Sequence, residues 1–296
     1  MTKCFNQTGC PAPGTGGPAG PERFLRTDFL QSDLKARSVR GGAVTLSAQG
    51  ARFVLQTVST LLLARLLAPA EFGLVAMVIV AINFVALFKD FGLSFATIQR
   101  EQISQAQIST LFWINVFIGV CLSALAAAAA PFVARFYAEP RLVPLMLALS
   151  PTLLVSGLLA QHQALLTRQM RFAAIAIADV GAMVVGITVG ISLALGGARY
   201  WALVGMMLSQ NAVNLLLVWW LCPWRPSRPT RGAGVRSLLT FGGNVTAGAL
   251  LNYIGSMADR VIIGRLWGPL PLGLYDRSHA LVLMPMLQIN PPLAAV

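Results

Sequence analysis

The run Ile108–Ala130, ISTLFWINVFIGVCLSALAAAAA, decides the fold. It carries no charge over a length at which a helix crosses a bilayer, about 20 residues. A membrane-spanning β-strand would alternate apolar and polar positions over about ten residues. This run is longer and does not alternate, so it reads as a helix. Working outward, the same pattern recurs at Ala43–Leu67, Phe72–Phe91, Leu142–Leu166, Ala173–Leu195, Tyr200–Leu221, Leu238–Leu266 and Leu272–Leu293. The expected fold is therefore all-α, a polytopic transmembrane bundle of about eight helices. Composition agrees: 56% of the 296 residues are hydrophobic and 11% charged, against about 25% charged in soluble domains.

Shifting the sequence against itself by 200 residues reveals an internal repeat. The stretch Arg65-Leu66-Leu67-Ala68-Pro69-Ala70-Glu71-Phe72-Gly73-Leu74 lies over Arg265-Leu266-Trp267-Gly268-Pro269-Leu270-Pro271-Leu272-Gly273-Leu274. Arg, Leu, Pro, Gly and Leu coincide in place, and Gly42 meets Gly242 further upstream. Apolar segments that match by chance share Leu and Val, not a spaced Arg, Pro and Gly. Membrane transporters are commonly built from such repeats, with the substrate site between them. The offset implies six helices per unit, an even number, so both copies run in the same direction. Residues 41–236 are expected to form a first six-helix lobe, and residues 237–296 the first two helices of an incomplete second lobe. Four more helices are expected to follow.

The net charge of +12 invites a nucleic-acid reading, but its distribution opposes one. With the N-terminus inside, the outer loops hold only Arg65, Arg135, Arg141, Arg199 and Arg265 of the 22 Lys and Arg residues. Arg52, Arg260 and Arg277 lie within helices, and the remainder fall in the N-terminal tail and the inner loops. This is the positive-inside asymmetry, and it predicts a cytoplasmic N-terminus. Residues 1–40 are rich in Pro, Gly, Arg and Asp and lack the apolar core of a signal peptide; they read as a disordered basic tail. Cys4, Cys10, Cys121 and Cys222 show no metal-ligand spacing with a His. The sequence lacks a phosphate loop, a nucleophile elbow and a His-Glu-x-x-His motif. No cofactor and no enzymatic activity are expected.

Polar residues inside the spans carry the chemistry, because each is costly in hydrocarbon and usually faces a bundle interior or wet cavity. Thr45, Gln49, Arg52, Gln56 and Ser59 fall within about a quarter of the circumference of the first helix. Asn244, Gly248, Asn252, Ser256 and Asp259 form a comparable stripe on the seventh. The repeat register overlays Arg52 on Asn252 and Ser59 on Asp259. The expected cavity residues are Arg52, Gln49, Gln56, Asn244, Asn252 and Asp259. Interhelical hydrogen bonding is the rival reading, but an arginine is too costly for simple glue. Asp179 pairs with a basic residue or caps near the interface. Gln210, Asn211 and Asn214, midway along the sixth span, suit packing contacts better than a site. Arg260, Asp276 and Arg277 either snorkel to headgroups or join a site. His162 and His279 stand alone in the sequence, and Lys89-Asp90 reads as an interfacial ion pair. Gly186 and Gly190 have the spacing of close helix packing.

Several of these motifs carry a family resemblance. They are Gln49-Gly50-Ala51-Arg52, the stretch Leu63–Leu74, Phe91-Gly92-Leu93-Ser94-Phe95-Ala96-Thr97-Ile98-Gln99, Arg168-Gln169-Met170-Arg171-Phe172 and Leu272-Gly273-Leu274-Tyr275. Over Gly41–Val296 the chain resembles the oligosaccharide flippase family, the lipopolysaccharide and colanic-acid-type exporters of the multidrug/oligosaccharidyl-lipid/polysaccharide superfamily. The resemblance implies a bacterial inner-membrane protein of two six-helix lobes. It would move a polyprenyl-pyrophosphate-linked oligosaccharide between leaflets for surface polysaccharide assembly, among membrane lipids and beside the polymerase machinery. A multidrug or peptidoglycan-precursor exporter of the same superfamily, and a non-transporting scaffold of a polysaccharide-synthesis complex, are the alternative readings.

Overall fold

The computed structural model describes residues 34–89, 104–228 and 236–294. Most of the N-terminal tail with Cys4 and Cys10, Asp90, the Phe91–Gln99 motif and Pro229–Arg231 lie outside the described residues. The described residues form helices α1 (Leu34–Leu66), α2 (Pro69–Ala86), α3 (Gln105–Tyr137), α4 (Leu142–Leu149), α5 (Pro151–Arg168), α6 (Phe172–Leu195), α7 (Tyr200–Leu221), α8 (Arg236–Trp267) and α9 (Pro269–Ala294), with no strand among them. Helix α1 starts upstream of the expected Gly41 boundary, at Leu34. Helices α4 and α5 together occupy the fourth expected span, interrupted at Ser150 just before Pro151. Pro151 lacks an N–H and takes a first-turn position, which restarts the helix.

Among the described residues, five segments are long and apolar enough to cross a membrane: α2, α3, α4 with α5, α6 and α7. Helices α1, α8 and α9 are 33, 32 and 26 residues long and carry the polar stripes. The outward surface fits lipid contact. Phe117, Phe132, Leu195, Leu216 and Trp220 are each more than two-thirds exposed, a display that water would penalise and hydrocarbon does not. The protein is a multi-pass helical membrane protein.

In lipid, apolar burial between helices gains little, so close van der Waals packing and interhelical hydrogen bonds must hold the bundle. Helix α2 is its central column, with Leu74, Met77 and Val78 almost wholly buried and α3, α4, α7, α8 and α9 packed around it. The α6–α7 hairpin is the tightest pair. A methyl added at Gly186 would lie 2.9 Å from Gln210 Cβ, and one at Gly190 would lie 2.9 Å from Met206 Cβ. The small-residue spacing therefore does serve close packing.

Helix ends are tied locally. Ser104 Oγ accepts from Gln107 N–H at 3.2 Å while Gln107 Oε1 accepts from Ser104 N–H at 3.0 Å, a reciprocal cap on α3. The chain after α7 folds back along α3. Trp224 is fully buried and its Nε1–H donates to Gln105 Oε1 at 2.7 Å. Arg225 donates to the Cys222 carbonyl at 2.8 Å and Arg171 to the Leu221 carbonyl at 3.1 Å. These cations satisfy carbonyls left open at the end of α7. His162 sits in the resulting aromatic cage, stacked on Trp219 with centroids 4.8 Å apart and edged by Phe112 and Trp224.

The repeat register reappears in space. A methyl built on Gly73 would land on the Pro269 carbonyl oxygen, and one built on Gly273 would land on the Pro69 carbonyl oxygen. The two contacts exchange under the 200-residue shift, so α2 and α9 meet backbone to backbone through a reciprocal Pro-x-x-x-Gly pair.

Candidate functional site

The polar stripe of α1 turns toward α6 and α7. Arg52 Nη2 donates to Asp179 Oδ2 in a tight ion pair, and Asn214 Nδ2 donates to Asp179 Oδ1 at 2.7 Å. Asp179 thus holds both neighbours, one through each oxygen. The side chains are half-buried, 33% exposed for Arg52 and 23% for Asp179. An arginine at this depth needs a partner or a wet cavity, and this one has both. Arg52, Gln56, Asp179, Met183, Gln210 and Asn214 line a cavity of about 400 Å³. On one side a cleft of about 100 Å³ continues past Thr45, Gln49, Arg52 and Asp179. On the other, a cavity of about 530 Å³ shares Gln210 and Asn214 and extends to Ser156, Gln163, Thr167 and Lys89.

Gln49, Arg52 and Gln56 are therefore brought together, on the chambers around the Arg52–Asp179 pair. Asp179 and Asn214, whose roles the sequence left open, complete the group. Their spacing of 35 residues places them on the two arms of the α6–α7 hairpin, and only tertiary packing selects their partner on α1. Gln210 also lines the cavity, whereas Asn211 donates to the Met207 carbonyl of its own helix at 2.8 Å.

The expected residues of α8 are placed differently. Asn244 lies on α8 outside the residues whose side chains are described. Asn252 is exposed and lines none of these chambers. Asp259 accepts from the Tyr275 hydroxyl and from Arg260 N–H. Around it runs a second polar network. Arg260 donates to Asp276 at 2.9 Å and lies 3.1 Å from His279 Nδ1. His279 stacks on Tyr275 with centroids 5.5 Å apart, so it does not stand alone. Arg277 covers the Phe72 ring at 3.6 Å and donates to the Leu67 carbonyl at 3.2 Å. Arg260, Asp276 and Arg277 are engaged with protein groups and do not merely snorkel.

A further chamber of about 690 Å³ lies between α2, α3 and α8. Its lining is apolar, including Val80, Phe84, Phe132, Phe136, Tyr253 and Met257. Tyr253 spends its hydroxyl on the Val80 carbonyl at 2.7 Å. None of the expected site residues lines it. No cluster of His, Cys, Asp and Glu able to hold a metal occurs among the described residues.

Comparison with known proteins agrees with the motifs. The chain is 29% identical over 212 residues to the teichuronic acid biosynthesis protein TuaB of Bacillus subtilis, covering 70% of the chain and 44% of TuaB. It is 26% identical over 270 residues to the lipopolysaccharide biosynthesis protein WzxC of Escherichia coli, covering 89% and 54%. It is 26% identical over 236 residues to the succinoglycan biosynthesis transport protein ExoT of Rhizobium meliloti, covering 79% and 47%. The chain thus spans about half the length of these curated relatives. No solved structure matches it. A polysaccharide biosynthesis protein family matches residues 62–296, most of the chain, and the chain belongs to that family.

Proposed function

We propose that this chain is part of a flippase that carries polyprenyl-pyrophosphate-linked oligosaccharide across the bacterial inner membrane for surface polysaccharide assembly. The observation that carries the reading is an arginine in a polar cavity lined by membrane-embedded helices, surrounded by amide side chains. A lipid-linked sugar head is too polar and too anionic to cross hydrocarbon unaided. The planar fork of Arg52 suits phosphate or an acidic sugar, and Gln49, Gln56, Gln210 and Asn214 offer donors and acceptors to hydroxyls. The name of ExoT, a biosynthesis transport protein, supports transport over synthesis.

The architecture follows the same reading. Residues 41–236 are one lobe and residues 237–296 open the second, a division supported by the reciprocal α2–α9 contact. Asn244, Asn252 and Asp259 belong to the face that the second lobe presents as the lobes rock to open the cavity to each side in turn. The charge asymmetry supports a cytoplasmic N-terminus. Membrane lipids surround the bundle, and the polysaccharide polymerase machinery receives its product. The protein performs no covalent chemistry.

The test is complementation of surface polysaccharide by the native full-length protein, beside an immunoblot. Arg52→Ala abolishes polysaccharide at near-normal abundance, and Arg52→Lys retains part of it because charge survives while the fork is lost. If the pair with Asp179 were structural only, Arg52→Ala would deplete the protein and Arg52→Ala with Asp179→Ala would restore it. Full complementation by Arg52→Ala at normal abundance would contradict the reading.

A further inference from the structure

The cavity already contains an anion. Asp179 sits on Arg52, the group that an incoming anionic head would need. We propose that Asp179 is an exchangeable counter-anion: it holds Arg52 in the cargo-free state, yields it to the anionic head, and takes up a proton as it does so. This rests on the reading of the cavity given above.

The surroundings of Asp179 make the exchange specific. Helix α7, packed against it, contains no charged residue, and Asp179 is the only charged residue of α6. The charged group facing it from α1 is Arg52. From the turn just after α2, Lys89 lines the adjoining chamber that shares Gln210 and Asn214. When Arg52 turns to the cargo, Asp179 loses its counter-charge and stands beside a second anion. A carboxylate that loses its counter-charge and gains an anionic neighbour favours its protonated form, because two like charges side by side repel. Water supplies the proton to Asp179 Oδ2, the oxygen that Arg52 releases, and the new O–H can donate to a cargo oxygen. Asn214 keeps its hydrogen bond to Oδ1 throughout, so the carboxyl does not wander. When cargo leaves, Arg52 returns and the same proton is given back to water. No bond other than O–H is made or broken.

The experiment is titration calorimetry of the purified full-length protein with farnesyl pyrophosphate. It is run in two buffers of different ionisation enthalpy, so that protons taken up per ligand can be read directly. The unmodified protein should take up about one proton more per ligand than Asp179→Asn, since one carboxylate is neutralised. Asp179→Asn should bind more tightly, by about tenfold or more, because a charge-assisted hydrogen bond no longer competes. Asp179→Glu should restore the proton uptake. Equal proton counts in the unmodified protein and Asp179→Asn, both binding, would overturn the exchange and leave the cavity reading intact. Absence of binding by the unmodified protein would overturn the cavity reading itself. If Asp179→Asn does not accumulate, infrared difference spectra of the unmodified protein decide. A protonated-carboxyl stretch appearing on ligand addition supports the exchange, and its absence despite binding overturns it.

Discussion

The corner joining α1 to α2 and the corner joining α8 to α9 stand 200 residues apart and follow one backbone plan with two chemistries. Both restart a helix at a proline, Pro69 and Pro269, and both place a glycine one turn later, at Gly73 and Gly273, where the other helix's carbonyl arrives. Around that shared contact the side chains differ. Ser59, Thr60, Val75, Ala76, Met77 and Ile79 correspond to Asp259, Arg260, Tyr275, Asp276, Arg277 and His279. The first set packs: Ser59, Ala76 and Met77 are buried. The second set forms the ion-paired and hydrogen-bonded network of Arg260, Asp276, Asp259 and Tyr275. Even the turn has changed, with Ala68 at φ −67° and Gly268 at φ 80°, a conformation open to glycine at little cost. A repeat keeps the residues where backbones touch and lets side-chain chemistry diverge. The overlay of Asp259 on Ser59 therefore records shared geometry, not a shared role.

Substitutions at the two corners can break or sharpen this comparison. The largest effect is expected at the backbone contact. Gly73→Ala and Gly273→Ala each force a methyl against a carbonyl that cannot rotate away. Each should cost about 3 kcal/mol, the upper range for overpacking. Gly50→Ala and Gly248→Ala, with nothing within 4 Å, should be neutral or gain up to about 1 kcal/mol of helix propensity. Melting temperatures in detergent distinguish these outcomes, and equal tolerance at all four positions would remove the contact from the account.

The divergent chemistry comes next. Asp276→Ala strips Arg260 of its carboxylate and should cost about 2 kcal/mol, the range for hydrogen bonds to charged groups. Ser59→Ala, at the first corner, loses only a weak 3.9 Å contact to Met206 sulfur and should cost about 0.6 kcal/mol, the average for interhelical hydrogen bonds in membrane bundles. Arg277→Ala removes the stack on Phe72 and should cost about 1 kcal/mol. A Ser59 effect as large as that of Asp276 would show the two corners to be chemically alike.

A further small effect is expected away from both corners, in the loop before α4. Arg141 grips Glu139 through two hydrogen bonds of 2.7 and 2.9 Å. Its side-chain hydrogen bond, above all, holds the Glu139 carboxyl below its usual range, against the opposing pull of desolvation. Arg141 is more than half exposed, so water screens the pair and Arg141→Ala should cost under about 1 kcal/mol. Because the folded-state value is depressed, the stabilisation is fully present above the ordinary carboxylate range, declines as pH falls below it, and is lost once pH has fallen through the depressed folded-state value. The melting difference between the unmodified protein and Arg141→Ala should therefore vanish on acidification.

Much of this was legible in the sequence, for physical reasons that also set the limits. Hydrocarbon admits few polar residues, so the spans announce themselves, whereas the break at Ser150 is masked because Pro151 lies inside an otherwise apolar run. The repeat was visible through Arg65, Pro69 and Gly73, residues fixed by backbone geometry. The depth of Arg52 and Asp179 was readable, but their pairing depends on how α1 rotates against the α6–α7 hairpin, which no periodicity encodes. The cage around His162 is set by a chain reversal at Pro223 that brings Trp224 back onto α3. The stripe on α8 had the right period, yet period alone could not place Asn252 at an exposed position or tie Asp259 to Tyr275.

The most direct test of the central reading uses sealed vesicles containing the native full-length protein and an isolated polyprenyl-pyrophosphate-linked oligosaccharide in one leaflet. Appearance of the sugar in the opposite leaflet is followed with a membrane-impermeant glycosidase. Transfer by the unmodified protein, its loss with Arg52→Ala, and no transport of cationic drugs are expected. Drug transport without sugar transfer, or sugar transfer undiminished by Arg52→Ala, would contradict the reading.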